Sequence, residues 1–63
     1  MRTEQRRAGE IRIGDIVLSG DGQLLTVTST RMQGAGQGVV SVGFSQLGHR
    51  VQYRPADAVL IIR

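Results

Sequence analysis

Short runs of period-two alternation, separated by glycine-bearing breaks, constrain this chain more than any other feature. Leu25 and Val27 alternate with Thr26 and Thr28; Val40, Val42 and Phe44 with Ser41 and Gly43; Val51 and Tyr53 with Arg50, Gln52 and Arg54. Successive side chains of a strand point to opposite faces, so each run offers one apolar face to a core and one polar face to water. Before them, Ile11 and Ile13 flank Arg12, and Gly14-Asp15 turns into the apolar run Ile16-Val17-Leu18. Ser19-Gly20-Asp21-Gly22 is a strong turn signal with Asp-Gly at its centre. Pro55 has no N–H to give to a ladder, so it ends the fourth strand, and Pro55-Ala56-Asp57-Ala58 predicts a single 3₁₀ turn. Val59-Leu60-Ile61-Ile62 then closes the sheet as a fifth strand. No stretch predicts a long helix.

Length sharpens this reading. A chain of 63 residues forms one domain. At that size about 60% of the unfolded surface is buried, so stability is marginal without a staple or a partner. There is no cysteine, and His49 is the sole histidine, which removes disulfides and thiolate metal sites. Assembly into a homo-oligomer is one remedy. No apolar run approaches the roughly 18 residues of a membrane span, and residues 1–10 lack the apolar core of a signal peptide. The expectation is a soluble, cytoplasmic protein without membrane contact.

Charge points to a class of partner. The net charge is +3 and the pI about 11.2. All eight basic residues are arginine, which suits a GC-rich bacterial genome. Arginine's planar fork matches phosphate and carboxylate and stacks on bases. The excess sits at the start of the chain, where Arg2, Arg6 and Arg7 face one acid, Glu4. Residues 1–10 read as a flexible basic arm, with Thr3 able to cap a short helix that Gly9 ends, and residues 11–63 as the folded domain. Arg50 and Arg54 share one strand face with Gln52, their Cα atoms about 13 Å apart, a spacing able to hold two points on a phosphate backbone. Arg12 and the arm extend this patch if the first and fourth strands approach. A charged face left to water explains the same residues.

Other chemistry finds less support. Residues 33–38, Gln-Gly-Ala-Gly-Gln-Gly, are followed by a strand and not by a helix N-terminus, so they read as a hairpin loop and not a phosphate cradle. His49 has no partner motif for catalysis or metal binding. Asp15, Asp21 and Asp57 fall at turns, where aspartate bonds nearby amides. No catalytic residue, metal or cofactor is expected. Phe44 and Tyr53, the two aromatics, fall on core faces, so nucleic-acid contact should run through the backbone and weaken with salt. The expected core is Ile13, Ile16, Leu18, Leu25, Val27, Val40, Val42, Phe44, Val51, Tyr53, Val59 and Ile61, with register open by one residue in the continuous runs.

Five short strands with a 3₁₀ turn before the last resemble an all-β, five-stranded SH3-like barrel over residues 11–63. The opening Gly14-Asp15-Ile16-Val17-Leu18, a Gly-Asp-Gly turn and a further strand resembles the KOW-type barrels of translation and transcription proteins, although the longer glycine-spaced pattern after the first turn is missing. Val51-Gln52-Tyr53-Arg54-Pro55, with Ala58, Val59 and Ile62, is similar to the C-terminal motif of the type II plasmid dihydrofolate reductases. That resemblance implies a homotetramer around one pore for folate and NADPH, with Gln52 as the pore glutamine. Tyr53 then replaces an isoleucine, Arg54 a tyrosine and Arg50 a serine, which crowds the pore with positive charge.

The leading expectation is a non-catalytic module that contacts nucleic acid, RNA or DNA, through Arg2, Arg6, Arg7, Arg12, Arg50, Gln52 and Arg54. The alternatives are a protein-binding or self-assembly module that uses strand edges, and a reductase-like tetramer.

Overall fold

The computed structural model describes residues 2–33 and 38–63. The glycine-rich segment 34–37, read above as a hairpin loop, lies outside the described residues. Six strands run β1 (Thr3–Arg7), β2 (Ile16–Leu18), β3 (Leu24–Gln33), β4 (Val39–Phe44), β5 (Arg50–Tyr53) and β6 (Ala58–Ile62), with a 3₁₀ turn at Ala8–Glu10. They form one sheet in the order β1-β6-β2-β3-β4-β5, and every neighbouring pair is antiparallel. The sheet is not closed: β1 and β5 are its edges, where a five-stranded barrel was expected.

The sixth strand is the segment expected to be a flexible arm. All five residues of β1 pair with β6, from Thr3 opposite Ile62 to Arg7 opposite Ala58. The chain stays attached beyond the strand, since Ala8 N–H donates to the Asp57 carbonyl at 2.7 Å and Gly9 N–H to the Pro55 carbonyl at 3.0 Å. Without β1, the outer edge of β6 would carry unpaired backbone groups. Arginines did not prevent this pairing, because an edge strand keeps long charged side chains in water while its backbone bonds.

β3 is the longest strand and the one that bends. Its first residues pair with β2, and from Val27 onward it pairs with β4. The ladder passes from Val27 opposite Phe44 to Ser29 opposite Gly43, leaving Thr28 as the extra residue of a bulge. The Thr28 hydroxyl donates to the Gly43 carbonyl at 3.1 Å. A bulge bends its strand and advances the side-chain alternation by one. Leu25 and Val27 therefore face the core, whereas Ser29 and Arg31 face away from it.

The buried core comprises Ala8, Ile11, Val17, Leu25, Val27, Val40, Val42, Phe44, Val59 and Ile61, with Leu47, Val51 and Tyr53 packed against it. Three expected members differ. Ile13 is 69% exposed. It lies in a turn, where Arg12 N–H donates to Asp15 Oδ2, Asp15 N–H donates to the Arg12 carbonyl, and Gly14 adopts a positive φ of 96°. Ile16 and Leu18 are half-buried and Val17 is inside, because Val17 lies opposite Leu25 and Ile61, both buried. The one-residue slip is decided by those partners. Ala8 opens the 3₁₀ turn and Ile11 follows it, and both enter the core in place of Ile13.

The connection before β6 also differs from expectation. It is a single turn in which Asp57 N–H donates to the Arg54 carbonyl and Arg54 N–H to Asp57 Oδ2, both at 2.9 Å. The 3₁₀ turn follows β1 instead, closed by Ile11 N–H on the Ala8 carbonyl. The Ser19–Gly22 turn joins β2 to β3, with Gly22 at φ 87° and the Ser19 hydroxyl bonded to Asp21.

Candidate nucleic-acid interface

Register brings a set of polar residues onto one face of β3, β4 and β5. Ser29, Gly43 and Arg50 lie side by side across the three strands, and Arg31, Ser41 and Gln52 form the next row. Val42 and Val51, and Val40 and Tyr53, occupy the opposite, core-facing side. Strands lie about 4.8 Å apart, so the Arg31 and Gln52 Cα atoms are about 10 Å from each other. Arg31, Arg50 and Gln52 are exposed. Arg54 follows immediately after β5 and is exposed as well. From Gly22 to Ala56 the chain contains no Asp or Glu, so β3, β4 and β5 carry no carboxylate; Asp57, just beyond, accepts from Arg54 N–H at 2.9 Å.

Arg50 is held in place. Its Nε donates to the Ser41 hydroxyl at 2.6 Å, Nη2 to the Ser41 carbonyl at 2.8 Å and Nη1 to the Ser29 hydroxyl at 2.7 Å. The side chain therefore crosses β4 and reaches β3. Gly43 makes room for it: a Cβ there would stand 3.2 Å from Arg50 Nη1 and 2.6 Å from Ser29 Oγ. Ser41 is 3% exposed although it lies on the outer face, because the arginine covers it. Its hydroxyl and carbonyl both gain a charge-assisted hydrogen bond in return.

The expected site residues fall into two groups. Arg50, Gln52 and Arg54 lie at β5. Arg6 and Arg7 belong to β1, Arg2 directly precedes it and Arg12 follows the 3₁₀ turn, on the other edge of the sheet. Glu4 and Arg6 lie opposite Ile61 and Val59, so they occupy the rim of the core-facing side, while Arg7 takes the other face opposite Ala58. Glu4 Oε2 accepts from Arg63 Nε at 2.7 Å and stands 3.5 Å from Arg6 Nη2. Arg6 and Arg12 line one open depression together with Glu4 and Glu10, two cations against two acids. The charges lining the depression balance, whereas Arg2 and Arg7 lie outside its lining.

Arg31, Ser29 and Ser41 complete the β3–β5 face and were not among the expected site residues. The acid-free span from Gly22 to Ala56 is a signal in the sequence that points to this half of the molecule. His49 is exposed just before β5, and among the described residues no three of His, Cys, Asp and Glu gather where they could hold a metal ion. Tyr53 faces the core side; burial first, and the nearby Asp57 charge second, push its phenol above the usual value of 10.0. No helix among the described residues is long and apolar enough to cross a membrane. The chain matches no family model, no curated protein and no solved structure.

Proposed function

We propose that this chain is a non-catalytic binding module that carries nucleic acid on the outer face of β3, β4 and β5. Arg31, Arg50, Gln52 and Arg54 are the contact residues. The observation that carries the reading is the placement of Arg31 and Arg50 on one face of three strands that carry no acid, with Arg54 directly after β5. Arg31 and Arg54 are exposed and are the positions read as phosphate contacts, Arg54 with the Asp57 carboxylate on its backbone N–H, and Gln52 offers an amide donor and acceptor. Of the β1 group, Arg6 is already paired with Glu4, and Arg2, Arg7 and Arg12 lie away from this face. The fold is read as an SH3-like barrel opened between β1 and β5, supported by the five strands β2–β6 and by a long β3 that bends from one half of the sheet to the other. A cytoplasmic place of action goes with this reading.

Fluorescence anisotropy with labelled single-stranded RNA, single-stranded DNA and duplex DNA tests it. Affinity should fall linearly in log salt, and Arg31→Glu with Arg54→Glu should reduce the slope by about 0.7–0.9 for each phosphate no longer neutralised. A folded double variant with unchanged affinity and slope overturns the reading.

A second reading rests on a different face. Leu18 lies directly between Leu24 and Leu60 on the outer side of β3, β2 and β6, and the latter two are 43% and 42% exposed. This apolar stripe favours a protein contact, including self-assembly. Light scattering distinguishes the cases: a monomer disfavours self-assembly, and a tetramer that oxidises NADPH with dihydrofolate supports the reductase-like alternative built around Gln52.

A further inference from the structure

We infer that Arg50 is a stacking platform for an unpaired nucleobase, which makes single-stranded nucleic acid the ligand class of this face. The inference rests on the nucleic-acid reading above and goes on to say what Arg50 does within it. A guanidinium has five N–H donors, and phosphate is best gripped by two parallel ones. In Arg50 the fork formed by Nε and Nη2 is closed on Ser41, and Nη1 is committed to Ser29. Three of the five donors are thus spent within the protein, which leaves a phosphate at most one N–H on each Nη and closes the pair formed by Nε and Nη2. The residue nevertheless stays exposed, and its flat guanidinium is the part inferred to meet a base.

The guanidinium is also fixed against the sheet by these three bonds. Nη1 stands over Gly43, where any Cβ would intrude at 3.2 Å. A free arginine loses much rotamer freedom when it stacks, whereas this one is ordered before a ligand arrives. Guanidinium planes stack on bases splayed out of a helix, and the buried Phe44 and core-side Tyr53 leave this face without an aromatic alternative. Gln52, two residues along the same strand face, is placed to meet the edge of a stacked base, and Arg31 to meet its phosphate. A duplex keeps its bases stacked internally and cannot use the platform.

The test compares wild type and Arg50→Lys, which keeps the charge and removes the plane. The probes are a single-stranded oligonucleotide carrying 2-aminopurine, the same length with abasic sites throughout, and the duplex. Wild type should change the 2-aminopurine fluorescence and bind the base-bearing strand roughly five- to a hundredfold more tightly than the abasic one. Arg50→Lys should lose that preference while its salt slope stays the same. Equal wild-type affinity for abasic, base-bearing and duplex probes overturns the platform and leaves backbone binding standing. Absence of binding to every probe at low salt overturns the nucleic-acid reading and the platform with it. The abasic comparison uses wild type alone, so it decides the matter even if the lysine variant folds poorly.

Discussion

Arg50 grips Ser41 at two points, the hydroxyl through Nε and the carbonyl through Nη2, and so buries a serine on the outer face of the sheet. Each partner explains the other: the serine satisfies two donors of a charged group, and the arginine stem and head keep water from the serine.

That pairing predicts a measurable coupling. Arg50→Met retains cover over Ser41 and removes its donors, while Ser41→Ala removes the acceptor of Nε. A double-mutant cycle in urea should give a coupling of about 1–2 kcal/mol, in the range for hydrogen-bonded neighbours. Additive single effects would show that the pairing contributes nothing to the fold.

Gly43→Ala tests the space beneath the guanidinium. The new methyl group would stand 2.6 Å from Ser29 Oγ, so the serine must rotate and release Arg50 Nη1. The expected cost is about 1 kcal/mol, the net value of one hydrogen bond with modest strain. A variant as stable as wild type, with Arg50 still ordered, would contradict this geometry.

β1 should behave as a strand and not as an arm. Hydrogen exchange should show protection in Thr3–Arg7, and removal of residues 1–7 should lower stability and promote association through the uncovered edge of β6. Free exchange of these amides with an unchanged unfolding midpoint for the truncated chain would restore the flexible-arm reading. The Glu4–Arg63 ion pair adds under about 1 kcal/mol, and less at high salt, because both side chains are nearly half exposed to water.

The Ser19–Gly22 turn carries a pH dependence of definite sign. The Ser19 hydroxyl first, and the Gln23 amide second, lower the Asp21 pKa below its ordinary value of 3.8. A depressed carboxylate stabilises the folded state above the unfolded pKa, and that contribution is lost as pH falls through the folded value. Asp21→Asn should therefore flatten the acid limb of stability and remove this small contribution near neutral pH. Tyr53 has the opposite sign. Its raised pKa contributes stability below 10.0 that is lost as pH rises through the folded value. An unshifted phenol titration by ultraviolet absorbance would remove that effect.

Much of the fold was legible along the chain because it rests on local chemistry. Alternation placed Leu25, Val27, Val40, Val42 and Phe44 inside, Asp21-Gly22 at a hairpin turn, and Pro55 at the end of β5. Composition showed arginine to be the whole basic complement. The β5 face of Arg50 and Gln52 could be read from the same alternation, since β5 runs without interruption.

The rest depended on partners distant in sequence. Whether Val17 or its neighbours point inward is set by Leu25 and Ile61 across two ladders, because a uniformly apolar run has no preferred face of its own. β1 exists because the edge of β6 was open to it. Arg31 reached the outer β3–β5 face through the bulge at Thr28; along an unbroken strand it would have shared the core side with Leu25 and Val27. The same applies to Arg50, whose residue type announced a charge but whose hold on Ser41 and Ser29 required three strands to meet. Local sequence determined which residues were apolar, where the chain turned and which charge it carried. Tertiary structure alone decided phase and adjacency, because a strand's hydrogen bonds and its choice of face are both completed by another strand.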